Sequence, residues 1–213
     1  MKLYICGDSF GVPDPEYGAC WVDYLAQQTD WEITNQCQTG ASNLLISLQV
    51  DRAIQEADAI IYLATAATRT EMRIANGTGP LLTQFKYKSL TSVSLRSIDH
   101  TTCLSPKQQS LAREYHKNFD DLGLNIYRSK CIIQSTLYRL SQSSVPWLFD
   151  QGGFEHPNYS DEKYFEEYNS NRSELCLWDY TQSRKFRPYY HITDPAVHRR
   201  VADYYSDFVR KLS

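Results

Sequence analysis

An excess of positive charge is missing from this chain. Its 213 residues include 22 lysines and arginines against 25 aspartates and glutamates, so the formal net charge is −3. Proteins that bind phosphate backbones usually present a positive field. Nucleic acid is therefore not the expected partner. The sequence does not indicate an oligomeric state.

Metal-binding and thiol-exchange motifs are missing as well. The six cysteines are scattered without a C-x-x-C pair, and neither H-x-H nor H-E-x-x-H occurs. We therefore expect free thiols in a reducing compartment, no metal and no cofactor.

Long apolar runs are also lacking. The most apolar stretch, residues 57–67, contains Asp58 and is far shorter than the ~20 residues that a spanning helix needs. The apolar run at the N-terminus is too short for a signal peptide. These features predict a cytoplasmic protein without a membrane segment.

The remaining composition is that of a folded protein. Apolar residues make up 42% of the chain and aromatic residues 13%, which is enough for a hydrophobic core. The length is typical of one domain, so we predict a single domain over residues 1–213.

Short apolar runs alternate with amphipathic segments in the first third of the chain. Strands are predicted at 2–6, 31–37 and 59–64, with helices at 17–28 and 42–56 between them. Parallel strands need such crossovers, so the alternation indicates an α/β fold.

The rest of the chain is less regular. Residues 66–104 and 154–190 lack periodicity and are predicted to be long loops, with a short last strand at Leu175 to Trp178. Between the loops we predict a helix that begins at Ser105-Pro106, a break near Gly123, a second helix over 125–141 and a strand over 145–149. Asp194-Pro195 predicts the start of a final amphipathic helix.

The motif with the most chemical content is CGDSFG at residues 6–11, directly after the first strand. Ligand sites of open α/β folds lie at the carboxyl ends of parallel strands, so the Ser9 hydroxyl is expected to face a cleft. Backbone amides in the following turn can bind an oxyanion. Asp8 is expected to hold this turn by hydrogen bonds. A nucleotide-binding loop is a poor alternative, because neither G-x-x-x-x-G-K-[ST] nor G-x-G-x-x-G is present.

A serine nucleophile needs a base, and histidine is the usual one. Of the five histidines, His191 lies in a loop before the last helix and is our choice. His100 and His156, also in loops, remain alternatives. His116 and His198 fall within predicted helices and are expected to be structural.

These residues resemble the SGNH, or GDSL, hydrolases in order and spacing. The resembling features are GDSF at residues 7–10, Gly40 in TGASN after the second strand, and a histidine before the C-terminal helix. The resemblance implies a flavodoxin-like three-layer α/β/α sandwich of about five parallel strands. It also implies a hydrolase of esters, thioesters or O-acetylated sugars. Ser9 would then be the nucleophile, the amides of Ser9 and Gly40 oxyanion donors, and His191 the base.

The chain departs from the family pattern at two positions. An oxyanion asparagine usually follows the third strand, but the residue here is Ala66, so Thr65, Thr68 or Arg69 would have to replace it. Arg69 is our choice. RTE at residues 69–71 shows a weak resemblance to SGNH-like proteins of bacteriophages.

The second departure concerns the acid of the triad. The family acid lies three residues before the histidine, and that position is Pro188. Asp179 could serve instead, or a Ser/His dyad could use a backbone carbonyl, because the third group orients the imidazole. The leading hypothesis is a serine esterase, including carbohydrate O-deacetylases. The alternative is an SGNH-like binding or structural module, for instance in a phage particle.

Overall fold

The computed structural model of the protein describes residues 1–13, 18–73, 90–93, 104–152, 166–173, 175, 177 and 192–212. The strands are β1 (Lys2–Cys6), β2 (Glu32–Asn35), β3 (Ala59–Leu63), β4 (Thr70–Arg73), β5 (Leu90–Val93) and β6 (Trp147–Asp150). The helices are α1 (Trp21–Gln28), α2 (Asn43–Glu56), α3 (Pro106–Asn118), α4 (Leu122–Ser141) and α5 (Pro195–Arg210).

Within the described residues, four strands form a parallel sheet in the order β2-β1-β3-β6. All five residues of β3 are buried, and only the first residue of β1 is exposed. Such continuous burial is typical of central parallel strands, which helices cover on both faces. In the ladder, Ile5 pairs with Asn35 on one side and with Ile61 on the other. The carboxyl ends of β1 and β3 therefore lie side by side.

Each face of the sheet carries its own hydrophobic core. One core joins β3 and β6 to α2 and α4, and its large side chains include Ile46, Tyr62, Ile133, Leu137 and Phe149. The other joins β1 and β3 to α1 and α5, with Leu3, Trp21, Leu25, Ile61 and Tyr205. The predicted three-layer α/β/α architecture is therefore confirmed.

The helix starts follow the side-chain caps that the sequence predicts. Ser105 Oγ accepts a hydrogen bond from Gln108 N at 3.3 Å, and Pro106 is the first helical residue of α3. Asp194 Oδ1 accepts from Ala196 N at 2.9 Å at the start of α5. Both predicted caps are confirmed, since such side chains satisfy amides that have no partner within the helix.

The break between α3 and α4 comes earlier than predicted. Asp121 caps α4 by accepting a hydrogen bond from Leu124 N at 2.7 Å, and Gly123 lies inside the first turn of that helix. The cap, rather than the glycine, therefore sets the boundary. Among the helices of the described residues, none has the length and hydropathy that a membrane span needs.

Two predictions within the irregular stretches also need correction. The stretch 66–104 contains the antiparallel pair β4 and β5, in which Thr70 pairs with Val93. The predicted strand Leu175 to Trp178 is absent at the two positions described there, and Leu177 is helical. Its apolar side chain is buried against the α5 side of the sheet. The chain pairs with β6 earlier, through an isolated parallel bridge between Arg172 and Phe149.

Candidate active site

Ser9 begins a single turn of 3-10 helix, Ser9–Gly11, three residues after the end of β1 at Cys6. Val12 N donates to Ser9 O at 3.2 Å and Gly11 N donates to Asp8 O at 3.3 Å, which closes the turn. Ser9 is 6% exposed. The serine therefore lies at the carboxyl edge of a central strand, as the sequence predicts for a site residue of an open α/β fold.

Asp8 is fully buried beside the serine and holds the turn, as expected. Its Oδ1 accepts a hydrogen bond from Phe10 N at 3.1 Å. Its Oδ2 accepts from Thr65 Oγ1 at 2.6 Å and from Arg69 Nη1 at 3.3 Å. A buried charge needs a partner and hydrogen bonds, and this carboxylate has both. The turn that carries Ser9 is therefore tied to the loop after β3.

Arg69 connects that loop to a third segment. Its Nη1 also donates to Ala41 O at 2.5 Å, next to Gly40. Burial lowers the pKa of the Arg69 guanidinium, while the neighbouring Asp8 carboxylate opposes the shift. The guanidinium thus bridges the turns that contain Ser9 and Gly40, the two residues with predicted oxyanion amides.

Gly40 lies in the turn between β2 and α2 with φ +82°. This left-handed conformation is open to glycine and strained for most other residues. Ala41 N donates to Gln38 O at 3.1 Å within the turn, and Ser42 Oγ caps α2 by accepting from Leu45 N at 3.3 Å. The glycine therefore allows the chain to turn from the sheet edge into the helix.

The loop after β3 is held by a side-chain amide from α2. Asn43 Oδ1 accepts from Thr65 N, and Asn43 Nδ2 donates to Thr65 O, both at 2.9 Å. The Thr65 hydroxyl is committed to Asp8, and Thr68 is exposed. Of the three residues considered as replacements for the missing asparagine, Arg69 is the one that contacts both Asp8 and the Gly40 turn.

Several predicted catalytic residues lie outside the described part of the chain. These are His191, the alternative bases His100 and His156, and the alternative acid Asp179. Their roles stay predictions.

His198 has the structural role that its helical position suggested. Its Nδ1 accepts a hydrogen bond from Trp21 N at 3.1 Å, and its Nε2 lies 3.0 Å from Ile192 O. An amide N–H can only donate and a carbonyl can only accept, so these partners assign the proton to Nε2. The imidazole is thereby used to cap α1. His116, in α3, pairs through Nδ1 with Asp120 Oδ2 at 2.9 Å.

A small cleft of about 70 Å³ adjoins Arg69. One wall is the start of α2 and the loop after β3, and the other is α4. Its lining residues are Asn43, Leu44, Ala67, Arg69, Glu71, Asn125, Arg128, Ser129 and Ile132. The cleft has room for a group of a few heavy atoms next to the guanidinium.

Sequence reasoning missed two buried polar residues at this edge of the sheet. Gln49, on α2, is 1% exposed, and Asp150, the last residue of β6, is fully buried. The sequence contained a signal for the burial of Gln49. This residue lies four positions after Leu45 and four before Ala53, on the apolar side of the helix. Asp150 had a weaker one, an acidic residue at the end of an apolar strand.

Within the described ranges, no three histidine, cysteine or acidic side chains form a group suited to a metal ion. The described cysteines, Cys6, Cys20, Cys37 and Cys131, are free thiols. Burial raises the pKa of Cys20 to about 11 and that of Cys37 well above its ordinary value. These two thiols therefore stay protonated at neutral pH and are poor nucleophiles.

Comparison with known proteins finds similarity only in structure. No protein-family model matches the sequence, and no curated protein does. Among solved structures, the psychrotrophic esterase EstA from Pseudoalteromonas sp. is 12% identical with a TM-score of 0.52, and the match covers 99% of this chain and 97% of that one. The acetyl xylan esterase AlAXEase is 12% identical with a TM-score of 0.55, over 98% of this chain and 100% of that one.

The chain has the SGNH hydrolase fold. The resemblance read from the GDSF motif, Gly40 and the order of the elements is thus confirmed at the level of the fold. In this SGNH-type sheet, Ser9 follows β1, Gly40 follows β2 and Arg69 follows β3. The bonds through Asp8 and Arg69 join these three segments.

Proposed function

We propose that the chain is a single-domain serine esterase of the SGNH type, with Ser9 as its nucleophile. The observation that carries this proposal is the position of Ser9 in a closed turn at the carboxyl end of β1, next to a buried Asp8 that Thr65 and Arg69 hold. A nucleophile needs fixed geometry at a sheet edge where substrate can approach. The hydrogen-bonded turn supports this role.

In the proposed reaction, Ser9 Oγ bonds to the acyl carbon of an ester while His191 takes the hydroxyl proton. The tetrahedral intermediate collapses, the bond to the leaving alkoxide breaks, and His191 returns the proton to that oxygen. Water then attacks the acyl-serine by the same sequence, which releases the carboxylic acid and restores Ser9. Asp179 or a backbone carbonyl would orient the imidazole.

The oxyanion would be held by the amides of Ser9 and Gly40, with Arg69 in place of the family's asparagine. Loss of one such donor typically lowers the rate by ~10²–10³, so an active enzyme needs a replacement for the side chain absent at Ala66. The contacts of Arg69 with Asp8 and with Ala41 O support this choice, because they hold a cationic donor beside both turns.

The substrate class proposed is a small acyl ester, with O-acetylated carbohydrate as the natural form. The cleft of about 70 Å³ borders Arg69, the proposed oxyanion donor, but Ser9 does not line it, so its volume does not set the size of the acyl group. A structural neighbour of this chain is an acetyl xylan esterase. This neighbour supports the deacetylase form of the proposal.

The test is hydrolysis of an activated acetyl ester by the wild type and by Ser9→Ala. Ser206→Ala is a matched control, because Ser206 is also buried and its Oγ has no hydrogen-bond partner within the described part of the chain. We expect turnover by the wild type and the control and none by Ser9→Ala. A fluorophosphonate probe should label Ser9, with the site located by mass spectrometry.

Turnover by folded Ser9→Ala would overturn the assignment of the nucleophile. A folded wild type with neither turnover nor label would favour the second candidate, a binding or structural module on this fold, for which a phage particle is one setting. Ala66 at the place of the family's asparagine is the observation that favours this alternative.

A further inference from the structure

Gln49 is a buried polar residue on the side of α2 that faces the sheet. It is 1% exposed, and Leu45, Ile46 and Ala53 of the same helix are buried with it. A glutamine side chain in such surroundings loses its hydration and needs partners for both its oxygen and its nitrogen. The residue is therefore held there by specific hydrogen bonds.

Both partners are the backbone of one residue, Gly7. Gly7 N donates to Gln49 Oε1 at 2.8 Å, and Gln49 Nε2 donates to Gly7 O at 3.3 Å. The side-chain amide thus pairs with Gly7 much as a neighbouring strand would. Gln38 N also donates to Gly7 O at 3.2 Å.

Gly7 occupies the point where the chain leaves the sheet and enters the site. The register of β1 with β3 ends at Cys6, which pairs with Tyr62. Gly7 comes next, followed by Asp8 and Ser9. Within the described residues the Gly7 N–H has Gln49 as its hydrogen-bond acceptor, so the helix takes over where the strand ladder stops.

We propose that Gln49 is a positioning residue that sets the orientation of the Gly7–Asp8 peptide and through it the location of the Ser9 hydroxyl. This inference rests on the proposed function. Two hydrogen bonds from Gln49 fix both the orientation of the Gly7 backbone and its distance from the side chain, whereas a single bond would leave the orientation free. A displacement of about 1 Å in a reacting group can lower the rate by about 10²-fold.

Asn43 gives the same kind of support to the other side of the site. It binds the backbone N and O of Thr65 in the same two-bond manner, and Thr65 in turn binds Asp8. One helix therefore holds the turns after β1 and β3 through two side-chain amides. The Ser9 turn and the Arg69 loop are aligned by α2 rather than by contact with each other alone.

The test uses two variants, Gln49→Leu and Gln49→Glu. Gln49→Leu keeps a side chain of similar size but removes both hydrogen bonds that Gln49 makes to Gly7, leaving Gln38 N on Gly7 O. The matched control is Ser47→Ala on the same helix. Ser47 is 6% exposed and accepts hydrogen bonds from Thr136 Oγ1 and Arg139 Nη2 at the contact with α4. It makes a buried polar contact away from the Ser9 turn.

Two readouts are needed, and one does not depend on catalysis. The first is kcat and KM for an activated acetyl ester. The second is amide hydrogen exchange of Gly7, followed by NMR. For Gln49→Leu we expect kcat to fall about 10- to 100-fold with little change in KM, and the Gly7 amide to lose its protection. Ser47→Ala should keep both the wild-type kcat and the Gly7 protection.

Gln49→Glu adds a pH dependence that a general packing defect would not produce. A protonated carboxyl can still donate to Gly7 O, but an ionised one cannot and adds a negative charge near Asp8. The Cys37 thiol also faces Gly7, and burial raises its pKa well above the ordinary thiol value, so it stays neutral in the series. We therefore expect near-wild-type kcat at low pH and a relative loss as the pH rises.

The outcomes separate this inference from the proposed function. Wild-type kcat in Gln49→Leu, or an unchanged Gly7 exchange rate, would overturn the role of Gln49 and leave a serine esterase standing. A wild type without turnover would overturn the proposed function and the positioning role together. If Gln49→Leu fails to fold, the pH series of Gln49→Glu decides, and a ratio to wild type that does not vary with pH contradicts the proposal.

Discussion

Two buried aspartates lie at the carboxyl edge of the same parallel sheet and have different partners. Asp8 follows β1 and Asp150 ends β6, and both are fully buried. Asp8 accepts hydrogen bonds from Thr65 and from the Arg69 guanidinium. Asp150 accepts from Gly152 N at 2.7 Å and from the Tyr205 hydroxyl at 2.8 Å. One carboxylate has a cation against it, and the other is held mainly by neutral donors.

For Asp150 the consequence appears in the pKa of its carboxyl group. Burial raises the pKa of Asp150 to about 7, although the Gly152 amide, the hydroxyls of Tyr205 and Ser173 and the charge of Arg172 all act to lower it. Neutral hydrogen bonds therefore offset only part of the desolvation. Asp8, beside Ser9, has the Arg69 guanidinium among its hydrogen-bond donors, and these bonds brace the turn.

The largest effect is expected from removing that cation. Arg69→Met leaves the Asp8 carboxylate buried without its charge partner, and breaking a buried ion pair from one side costs about 3–5 kcal/mol. We expect a loss of this size in the free energy of unfolding, measured by urea titration at pH 7. The proposed esterase activity should fall as well, because the turn that carries Ser9 loses a brace and the proposed oxyanion loses a donor.

The double variant Asp8→Asn with Arg69→Met sharpens this expectation. Without the carboxylate no charge is left unpaired, so the double variant should recover part of the stability lost in Arg69→Met. Asp8→Asn is also measured alone. If the stability losses of Asp8→Asn and of Arg69→Met simply add in the double variant, the ion pair does not contribute to stability and the contrast with Asp150 has another origin.

A second effect is the pH dependence of stability from Asp150. Its folded pKa, about 7, lies above the ordinary aspartate value of 3.8, so the folded state binds this proton more tightly than the unfolded state. The stability that Asp150 contributes by binding this proton is therefore fully present below pH 4 and is lost as the pH rises toward 7. Each unit of difference corresponds to about 1.4 kcal/mol.

Asp150→Asn removes this titration while keeping a side chain of the same shape. Between pH 4 and 7 the stability of the wild type should fall relative to that of the variant, as measured by urea titrations across the range. A constant difference between the two proteins would show that Asp150 titrates normally, and the two aspartates would then not differ in the way described.

The smallest effect is expected at Asp194, a third aspartate that is only half-buried. It caps α5 by accepting from Ala196 N, and loss of an N-cap typically costs about 1 kcal/mol. Asp194→Ala should lower the melting temperature slightly and leave acetyl ester hydrolysis unchanged. If Asp194→Ala lowered the stability as much as Arg69→Met, the burial of these carboxylates would not determine how much each contributes to stability.

Local patterns predicted much of the fold. The strands β1, β2, β3 and β6 and the caps at Ser105 and Asp194 follow from apolar periodicity and capping chemistry, which act over a few residues. Gly123 misled the sequence interpretation, because the Asp121 cap decides where α4 begins. The apolar run at Leu175 to Trp178 misled it too, since buried strands and buried helical turns share the same composition.

The site was predicted in part. Ser9, Gly40 and Arg69 were singled out because each follows a predicted strand, and the structure places them at one edge of the sheet. Their catalytic roles stay predictions. Gln49 and Tyr205 were not found, since they belong to helices that are distant in sequence from the residues they bind. Gln49 lies 42 positions from Gly7, and Tyr205 lies 55 from Asp150.

The sequence by itself determined the alternation of strands and helices, and with it the α/β class and the placement of Ser9 at a strand end. Tertiary structure alone decided which polar groups meet at that edge. Asp8 meets Arg69, whereas Asp150 meets Tyr205, because the crossing helices and loops bring different donors to the two strand ends. The physical reason is that periodicity records which face of an element is buried, while the partner of a buried charge depends on the packing of segments far apart in the chain.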